Sequence, residues 1–306
     1  MSNAHLVNIE QCGREITAQE IEEITETVTT FSNLSLRVLT ETICEHLAWF
    51  TATGNYKKDA CLKLLQKLDA KGFFRLPAKR PSSRISRCDL RPDTTVIAAQ
   101  KYQEIKCDLQ EVRSVTIEPI TDKAKTRLWN QYVECYHYLG YKRPIGCSIK
   151  YFAKTSNDEI LACVLFAGAA KSITARDKWI GWSSNQRLRN LPWVINNTRF
   201  LIMPWVEVPC LASHILGKIN RRISTDWYKR WGYSPHLMET FVDPQKYKGT
   251  CYKASNWHSI GRTTGRGLTR KGKTYTTSPK LIFARPLIKD FRKQLCHEYL
   301  VGRIEI

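Results

Sequence analysis

The chain has 306 residues, 42% of them hydrophobic, with nine tryptophans, and this composition excludes a disordered chain. No apolar run reaches the roughly 20 residues of a membrane span, and residues 1–21 lack the apolar segment of a secretory signal. The formal net charge of +20 divides into −2 over residues 1–76, +3 over 77–125, +11 over 126–258 and +8 over 259–306. A basic excess of this size indicates a polyanion, so we expect a cytoplasmic protein that binds nucleic acid and no membrane.

The eleven cysteines show no short paired spacing such as CxxC, and we expect reduced thiols. Cys210 and His214 are four residues apart and would share a helix face. Two further metal ligands are missing, so we interpret these two residues as core and cap residues. The sequence therefore predicts neither a metal nor a cofactor.

Residues 1–76 are predicted to form an N-terminal domain of three helices. The first begins at Thr17, which forms a capping box with Glu20. The apolar spacing predicts inward faces at Ile21, Ile24 and Val28 on this first helix, and at Leu36, Leu39, Ile43, Leu47, Ala60, Leu64, Leu65 and Leu68 on helices at about 36–50 and 56–70. A short strand is expected at 73–76.

Three helices followed by a strand predict a winged-helix-like domain. Its third helix would present Lys57 and Lys58 to a DNA groove. The alternative is a small helical bundle that docks a partner protein, and the net charge of −2 favours this alternative.

Residues 77–111 are predicted to be a basic linker. Residues 77–92 contain three prolines, three serines and five basic residues with one acid, a composition typical of an extended segment. Such a segment can also follow a phosphate backbone. A short helix is expected at about 96–102.

Residues 112–306 are predicted to form the second domain. Its first predicted elements are a strand at 115–120, a helix from Thr121 to Gly140 and a hairpin of strands 148–153 and 160–167. One strand over 200–208, interrupted by Pro204, is followed by a helix from Pro209 to about 223 and a further turn at 226–231. A strand at 281–284 and a tail helix at 289–299 end the domain.

The stretch from Trp231 to Leu268 is the most distinctive part of this domain. It predicts a strand at 237–242, a helix at about 250–257 and a basic glycine loop at 261–267. The overall order resembles that of the GNAT acyltransferase fold. The fold class is therefore predicted as α+β, with a GNAT-like mixed sheet flanked by helices.

A GNAT enzyme needs a glycine-rich turn where its helix grips the pyrophosphate of coenzyme A. The corresponding segment here, VEVPCLAS, has no glycine, and Pro209 removes an amide donor. We therefore expect no binding of acetyl-coenzyme A.

Several long motifs resemble the DruA family of Druantia anti-phage defence systems. They read HYLGYKRPIG, RFLIMPWVEVPCLASHILG, METFVDPQKYKGTCYKASNW and GRTTGRG, with CGREIT and KKDACLKLLQKLDAKGFFRLP nearer the N-terminus. The resemblance implies antiviral defence beside other Druantia proteins, including a helicase-like component. It implies no catalytic residues.

Two groups of basic residues are candidates for binding phosphates. Arginine forks bind phosphate in a bidentate manner, and glycines let backbone amides approach it. With Lys57 and Lys58, the candidates are Arg221, Arg222, Lys229, Arg230, Arg262, Arg266, Arg270 and Lys271. Nearby aromatic residues would stack on bases or, as is more common, belong to the core: Trp227, Tyr228, Trp231 and Tyr233.

His137, Glu239 and Asp243 are the candidates for chemistry, although ion pairs with arginines are the expected role of the acids. The leading hypothesis is a defence protein that binds DNA through its basic face and positions partners on it. The first alternative is a metal-dependent nuclease or strand-processing enzyme at the same face. The second is a GNAT-fold acyltransferase-like enzyme. Whether the chain is an enzyme stays open here.

Overall fold

The computed structural model describes residues 9–31, 34–77, 92, 94–112, 114–144, 146–265 and 278–298. These residues form two compact units. The first combines the N-terminal residues up to 77 with 184–189 and Glu298, and the second contains the remaining described residues. No helix within the described ranges is long and apolar enough to cross a membrane.

The first unit consists of a β-hairpin followed by three helices: β1 (Ile9–Gln11), β2 (Arg14–Ile16), α1 (Ala18–Thr30), α2 (Leu36–His46) and α3 (Lys58–Ala70). The predicted capping box is confirmed. Thr17 Oγ1 accepts the Glu20 N–H at 3.2 Å, and the Glu20 carboxylate accepts the Thr17 N–H at 2.9 Å. The helices bury their apolar faces together, and Ile9 and Ile16 of the hairpin join the same core.

The segment after α3 differs from the sequence prediction. Residues 73–77 have irregular backbone, so the strand expected at 73–76 is wrong. The Leu76 N–H bonds the Asp69 carboxylate at 3.2 Å instead of a neighbouring strand. The winged-helix assignment stays a prediction.

The remaining helices are α4 (Thr95–Ala99), α5 (Lys123–Tyr136), α6 (Thr174–Ile180), α7 (Ser184–Asn190), α8 (Leu211–Trp231), α9 (Thr250–Ala254) and α10 (Phe291–Leu295). The remaining strands are β3 (Ile105–Lys106), β4 (Thr116–Pro119), β5 (Ser148–Lys154), β6 (Ile160–Gly168), β7 (Val194–Ile202), β8 (Val206–Glu207), β9 (Leu237–Val242), β10 (His258–Arg262) and β11 (Leu281–Pro286).

Seven strands of the second unit form one sheet in the order β4-β5-β6-β7-β9-β11-β10. All neighbours are antiparallel except β7 and β9, which are parallel. The predicted β5–β6 hairpin and the predicted bounds of β9 are confirmed. The result is a mixed sheet, as the sequence predicts for this domain.

Helices cover both faces of this sheet. Successive strand residues point to opposite faces, and two neighbours on β5 show which helix lies on which side. The Tyr151 hydroxyl donates to the Asp226 carboxylate of α8 at 3.0 Å. The Lys150 ammonium donates to the Asn130 side chain of α5 at 2.5 Å. Helices α5 and α8 therefore lie on opposite faces.

Three predicted elements around Pro204 need correction. The strand expected over 200–208 ends at Ile202, and β8 beyond Pro204 pairs in parallel with β3. Pro209 does not lie in the helix, because Cys210 is its N-cap with a left-handed φ of 61°. Helix α8 then continues through the turn that was predicted separately at 226–231.

Candidate nucleic-acid interface

Helix α8 is a 21-residue amphipathic helix, about 30 Å long. Its apolar spacing buries Ile215, Ile219 and Ile223 completely. The helix ends at Gly232, whose φ of 77° suits glycine and whose N–H bonds the Tyr228 carbonyl at 2.8 Å. The buried face fixes the rotation of the helix and therefore decides which residues face outward.

The outward face of α8 carries a basic stripe, defined as His214, Lys218, Arg221, Tyr228 and Lys229. These residues recur at helical spacing outside the face that buries the isoleucines. Arg221, Tyr228 and Lys229 are exposed, whereas His214 and Lys218 are half-buried. Burial, followed by the positive charges of Lys218 and Arg221, lowers the pKa of His214. The side chains of Lys218 and Arg221 are therefore close enough to His214 for their charges to act on it.

The charges of the basic stripe are not neutralised by the helix itself. Asp226 is the only acid of α8 and binds Arg222 through two contacts, Nε–Oδ2 at 2.6 Å and Nη2–Oδ1 at 3.1 Å. Within the part of the chain that the structure describes, no carboxylate forms an ion pair with Lys218, Arg221 or Lys229.

The structure separates Arg222 and Arg230 from the other predicted phosphate ligands. Besides its ion pair, Arg222 donates to the Ile117 carbonyl at 2.5 Å. Arg230 donates to the Ile120 carbonyl at 3.1 Å and lies over the Trp231 ring. Both guanidinium groups thus anchor α8 to the end of β4, a role that the sequence analysis did not assign.

The aromatic residues near the end of α8 mostly belong to the core. Trp227 is fully buried and Tyr233 is 4% exposed, so the more common alternative, a role in the core, is confirmed for these two residues. Trp231 is partly buried beneath Arg230. Tyr228 alone among the four predicted stacking residues is strongly exposed, at 49%.

The remaining predicted phosphate ligands lie elsewhere. Arg262 is exposed at the end of β10, an outer strand of the sheet, whereas Arg266, Arg270 and Lys271 lie outside the described residues. In the first unit, Lys57 is half-buried at the N-cap of α3, and burial lowers its pKa. Lys58 is exposed and pairs with Glu41.

A cavity of about 390 Å³ opens where β7 and β9 separate. The parallel pairing ends at Asn197 and Thr240, although β7 continues to Ile202 and β9 to Val242. The pairing of β7 with β6 skips Thr198, and such a bulge bends the strand. Ala212 in the first turn of α8 lines the same cavity.

A comparison with models of protein families shows to which family the chain belongs. The family described as Druantia protein DruA matches residues 67–278, which is more than half of the chain. The chain belongs to the DruA family. The resemblance stated from the motifs is thereby confirmed. No curated protein matches the chain.

The fold of this DruA-family chain is distantly similar to acetyltransferases. A spermidine/spermine N-acetyltransferase, SpeG, from Vibrio cholerae is 8% identical, with a TM-score of 0.37 over 60% of this chain and 98% of that chain. A GNAT superfamily phosphinothricin acetyltransferase from Sinorhizobium meliloti is 9% identical, with a TM-score of 0.36 over 56% and 88%. Likeness at this level says nothing about ligand or reaction.

Glu239 of this DruA-family chain is part of a buried ion pair, as the sequence analysis expected of its acids. Arg176 and Glu239 are both fully buried, and Arg176 Nη1 lies 3.0 Å from Glu239 Oε2. The Ala170 N–H donates to Glu239 Oε1 at 3.1 Å, and Arg176 Nη1 donates to the Ala170 carbonyl at 2.8 Å. The carboxylate therefore joins the segment before α6 to the sheet.

The other two candidates for chemistry do not join Glu239. His137 lines the cavity, and burial, followed by the charge of Arg199, lowers its pKa to about 4. Asp243 is half-buried and accepts the Gln245 N–H at 3.0 Å in a local turn. Among the described residues, no group of three or more His, Cys, Asp or Glu side chains could hold a metal ion.

Proposed function

We propose that this DruA-family chain binds DNA through the basic stripe of α8 and positions other Druantia proteins on it. The observation that carries this proposal is a row of three cations without acidic partners on one rigid helix. From His214 to Lys229 the stripe extends about 22 Å. Each strand of a duplex carries one phosphate per about 3.4 Å of helix axis, so a stripe that lies parallel to this axis spans about six phosphates of one strand.

The shape of the stripe suits the phosphate backbone better than base edges. Lysine and arginine provide charge along the line, and exposed Tyr228 provides one ring for stacking. If the three cations each neutralise one phosphate, they contribute about three to the slope of log affinity against log salt. The expected interaction is therefore strong, salt-sensitive and weakly dependent on base sequence.

Other basic residues extend this interface in the proposal. Arg262, Arg266, Arg270 and Lys271 add charge around the glycine loop. The first unit contributes Lys58 if it acts as a winged-helix-like domain, and otherwise it docks a protein partner. The helicase-like component implied by the family resemblance is the partner that we expect beside this chain on DNA.

The test compares Lys218→Ala/Arg221→Ala with the control Lys123→Ala/Arg127→Ala, which removes two exposed cations from α5. Single-stranded, double-stranded and forked DNA are titrated across a salt series. We expect the stripe variant to lose about tenfold or more in affinity and to show a shallower salt slope, with little change in the control.

Two outcomes would contradict the proposal. Equal losses in both variants would mean that only the overall charge matters, and no binding at moderate salt would remove DNA as the ligand. The same titration with and without Mg²⁺ distinguishes the nuclease alternative, because new product bands would make the chain an enzyme.

A further inference from the structure

The cavity between β7 and β9 has an uncharged, rigid floor. The Tyr252 hydroxyl donates to Asn197 Oδ1 at 2.6 Å, and Thr240 Oγ1 donates to the Asn197 carbonyl at 3.0 Å. Asn197 Nδ2 in turn donates to the Leu165 carbonyl at 3.0 Å. Burial raises the pKa of Tyr252, which keeps the phenol neutral. These groups satisfy one another, so the floor suits a neutral ligand.

The rim of the cavity combines exposed aromatic rings with cations. Tyr138 and Tyr247 are 38% and 55% exposed, and their ring centroids are 5.8 Å apart. Lys246 Nζ lies 4.8 Å from the centre of the Tyr138 ring, and Lys248 lines the cavity. Burial, followed by the charge of Asp243, raises the pKa of Tyr138, so one carboxylate also acts on this ring. Aromatic rings beside lysines suit a planar ring system that is attached to a phosphate.

His137 adds a hydrogen-bond donor to the wall. Its Nδ1 accepts the Leu139 N–H at 3.1 Å, so the neutral ring carries its proton on Nε2. The low pKa of the ring, about 4, keeps it neutral near pH 7. A neutral N–H donor can form a hydrogen bond with a carbonyl oxygen or ring nitrogen of a base, and it does not attract a phosphate into the cavity.

The residues around the opening are held in place. Arg199 Nε donates to the Gly140 carbonyl at 2.8 Å, and the Glu134 carboxylate accepts the Tyr141 N–H at 2.7 Å. On the other side, Gly249 has a φ of 69°, and a Cβ there would lie 2.5 Å from the Phe283 ring. The opening is therefore preformed, as is usual for ligand sites.

The cavity and the basic stripe both begin at the first turn of α8. Ala212 lines the cavity, and His214, two residues further along and on another side of the helix, is the first residue of the stripe. We infer that this cavity receives one unstacked base of a DNA strand whose phosphates follow the basic stripe. The inference rests on the proposed function and adds a site to it. Its volume of about 390 Å³ is at the small end of the roughly 300–1,000 Å³ found for ligand pockets, which suits one base with its sugar.

The test uses single-stranded DNA with one 5-iododeoxyuridine, whose position is moved stepwise along the oligonucleotide. Irradiation of the complex with the full chain crosslinks the base to a neighbouring aromatic side chain, and mass spectrometry identifies the residue. We expect crosslinks at His137, Tyr138 or Tyr247. Ala212→Phe, which fills the cavity, should abolish these crosslinks and leave binding through the stripe.

Tyr247→Ala is the second variant, because a side chain that is 55% exposed can be removed without risk to folding. Loss of one stacking ring should weaken DNA binding about tenfold. Bound DNA that crosslinks only elsewhere, or an unchanged affinity of Tyr247→Ala, would overturn the base site and leave the stripe. Absence of any DNA binding by the wild type would overturn both proposals together. Saturable binding of coenzyme A that Ala212→Phe abolishes would assign the cavity to that ligand and overturn the base site.

Discussion

Helices α1 and α8 are both amphipathic and both bury an apolar face, but their outer faces carry opposite charge. Helix α1 has four acidic residues and no basic ones, whereas α8 has five basic residues and one acid. Two acids of α1 serve the first unit, since Glu20 pairs with Arg14 and Glu23 with His46. The cations of the basic stripe have no such partner among the described residues.

The difference teaches that charge with a partner inside the protein supports the fold, whereas charge without one is available for a ligand. Burial raises the pKa of Glu20, but the Thr17 N–H and Arg14 together lower it further, so this carboxylate is bound in place as an anion. The stripe has the opposite character: burial, followed by the charges of Lys218 and Arg221, lowers the pKa of His214. Substitution of a charge that has a partner inside the protein should change the free energy of unfolding, and substitution of a charge without one should change the affinity for DNA.

The largest effect should come from Arg176→Met. This change leaves Glu239 buried without its partner, and breaking a buried ion pair costs about 3–5 kcal/mol. Urea unfolding measures the loss. The control Arg176→Met/Glu239→Leu/Asp177→Asn also removes the second carboxylate that pairs with Arg176, at 2.8 Å, and should recover most of the stability. A triple variant as unstable as the single one would show that shape, not charge, sets the stability at this position.

Charge reversal on α8 should have the next largest effect. Lys218→Glu/Arg221→Glu should lower DNA affinity about a hundredfold in fluorescence anisotropy, with the unfolding midpoint little changed. The matched variant Glu22→Lys/Glu26→Lys, on two exposed positions of α1, should leave affinity unchanged or raise it. A loss of affinity in the α1 variant would remove the distinction between the two helices.

Patterns among neighbouring residues were enough to predict helices α1 and α8 and much of the seven-stranded sheet. The capping box at Thr17 and the strand at 237–242 depend on neighbouring residues, and both are confirmed. Strands β3 and β10 are among those that were missed. The first is two residues long and its partner β8 is about a hundred residues away, and the second was hidden by Gly261 and interpreted as a loop.

The candidate site was only partly predictable, because contacts between residues far apart in the sequence decide which cations stay without a partner. Arg222 and Arg230 look like Arg221 in the sequence, and only their contacts with the distant Ile117 and Ile120 carbonyls exclude them from the stripe. Lys218 was missed although a local signal existed. It lies four residues after His214 and three residues before Arg221, at the border of the predicted apolar face of α8, and that spacing could have identified it.

A smaller effect is expected from pH, because a buried histidine must become charged as pH falls. Burial lowers the pKa of His236 to about 4, and its Nδ1 has no hydrogen-bond partner within the described residues. The unfolded chain, with an ordinary pKa near 6.5, binds the proton first. The contribution of His236 to the free energy of unfolding is therefore complete above about pH 6.5 and decreases as the pH falls toward 4. The decrease is about 1–2 kcal/mol for this partly exposed side chain.

His236→Phe tests this pH dependence. The backbone N–H and carbonyl of His236 bond Trp193 and Leu287, and both contacts survive the substitution. Urea midpoints at pH 7 and pH 4.5 should differ less in the variant than in the wild type. An equal difference would assign the acid sensitivity to other groups.

The smallest effect should come from Thr17→Ala in the first unit. The change removes the hydroxyl that accepts the Glu20 N–H and leaves the reciprocal bond from the Thr17 N–H to Glu20. Loss of such a cap destabilises a helix by about 1 kcal/mol. Hydrogen exchange of α1 amides should therefore accelerate about fivefold. Thr17→Asp keeps an acceptor and should restore protection, although its charge lies beside Glu20. DNA affinity should not change in either variant, because this side chain already has its partner inside the protein.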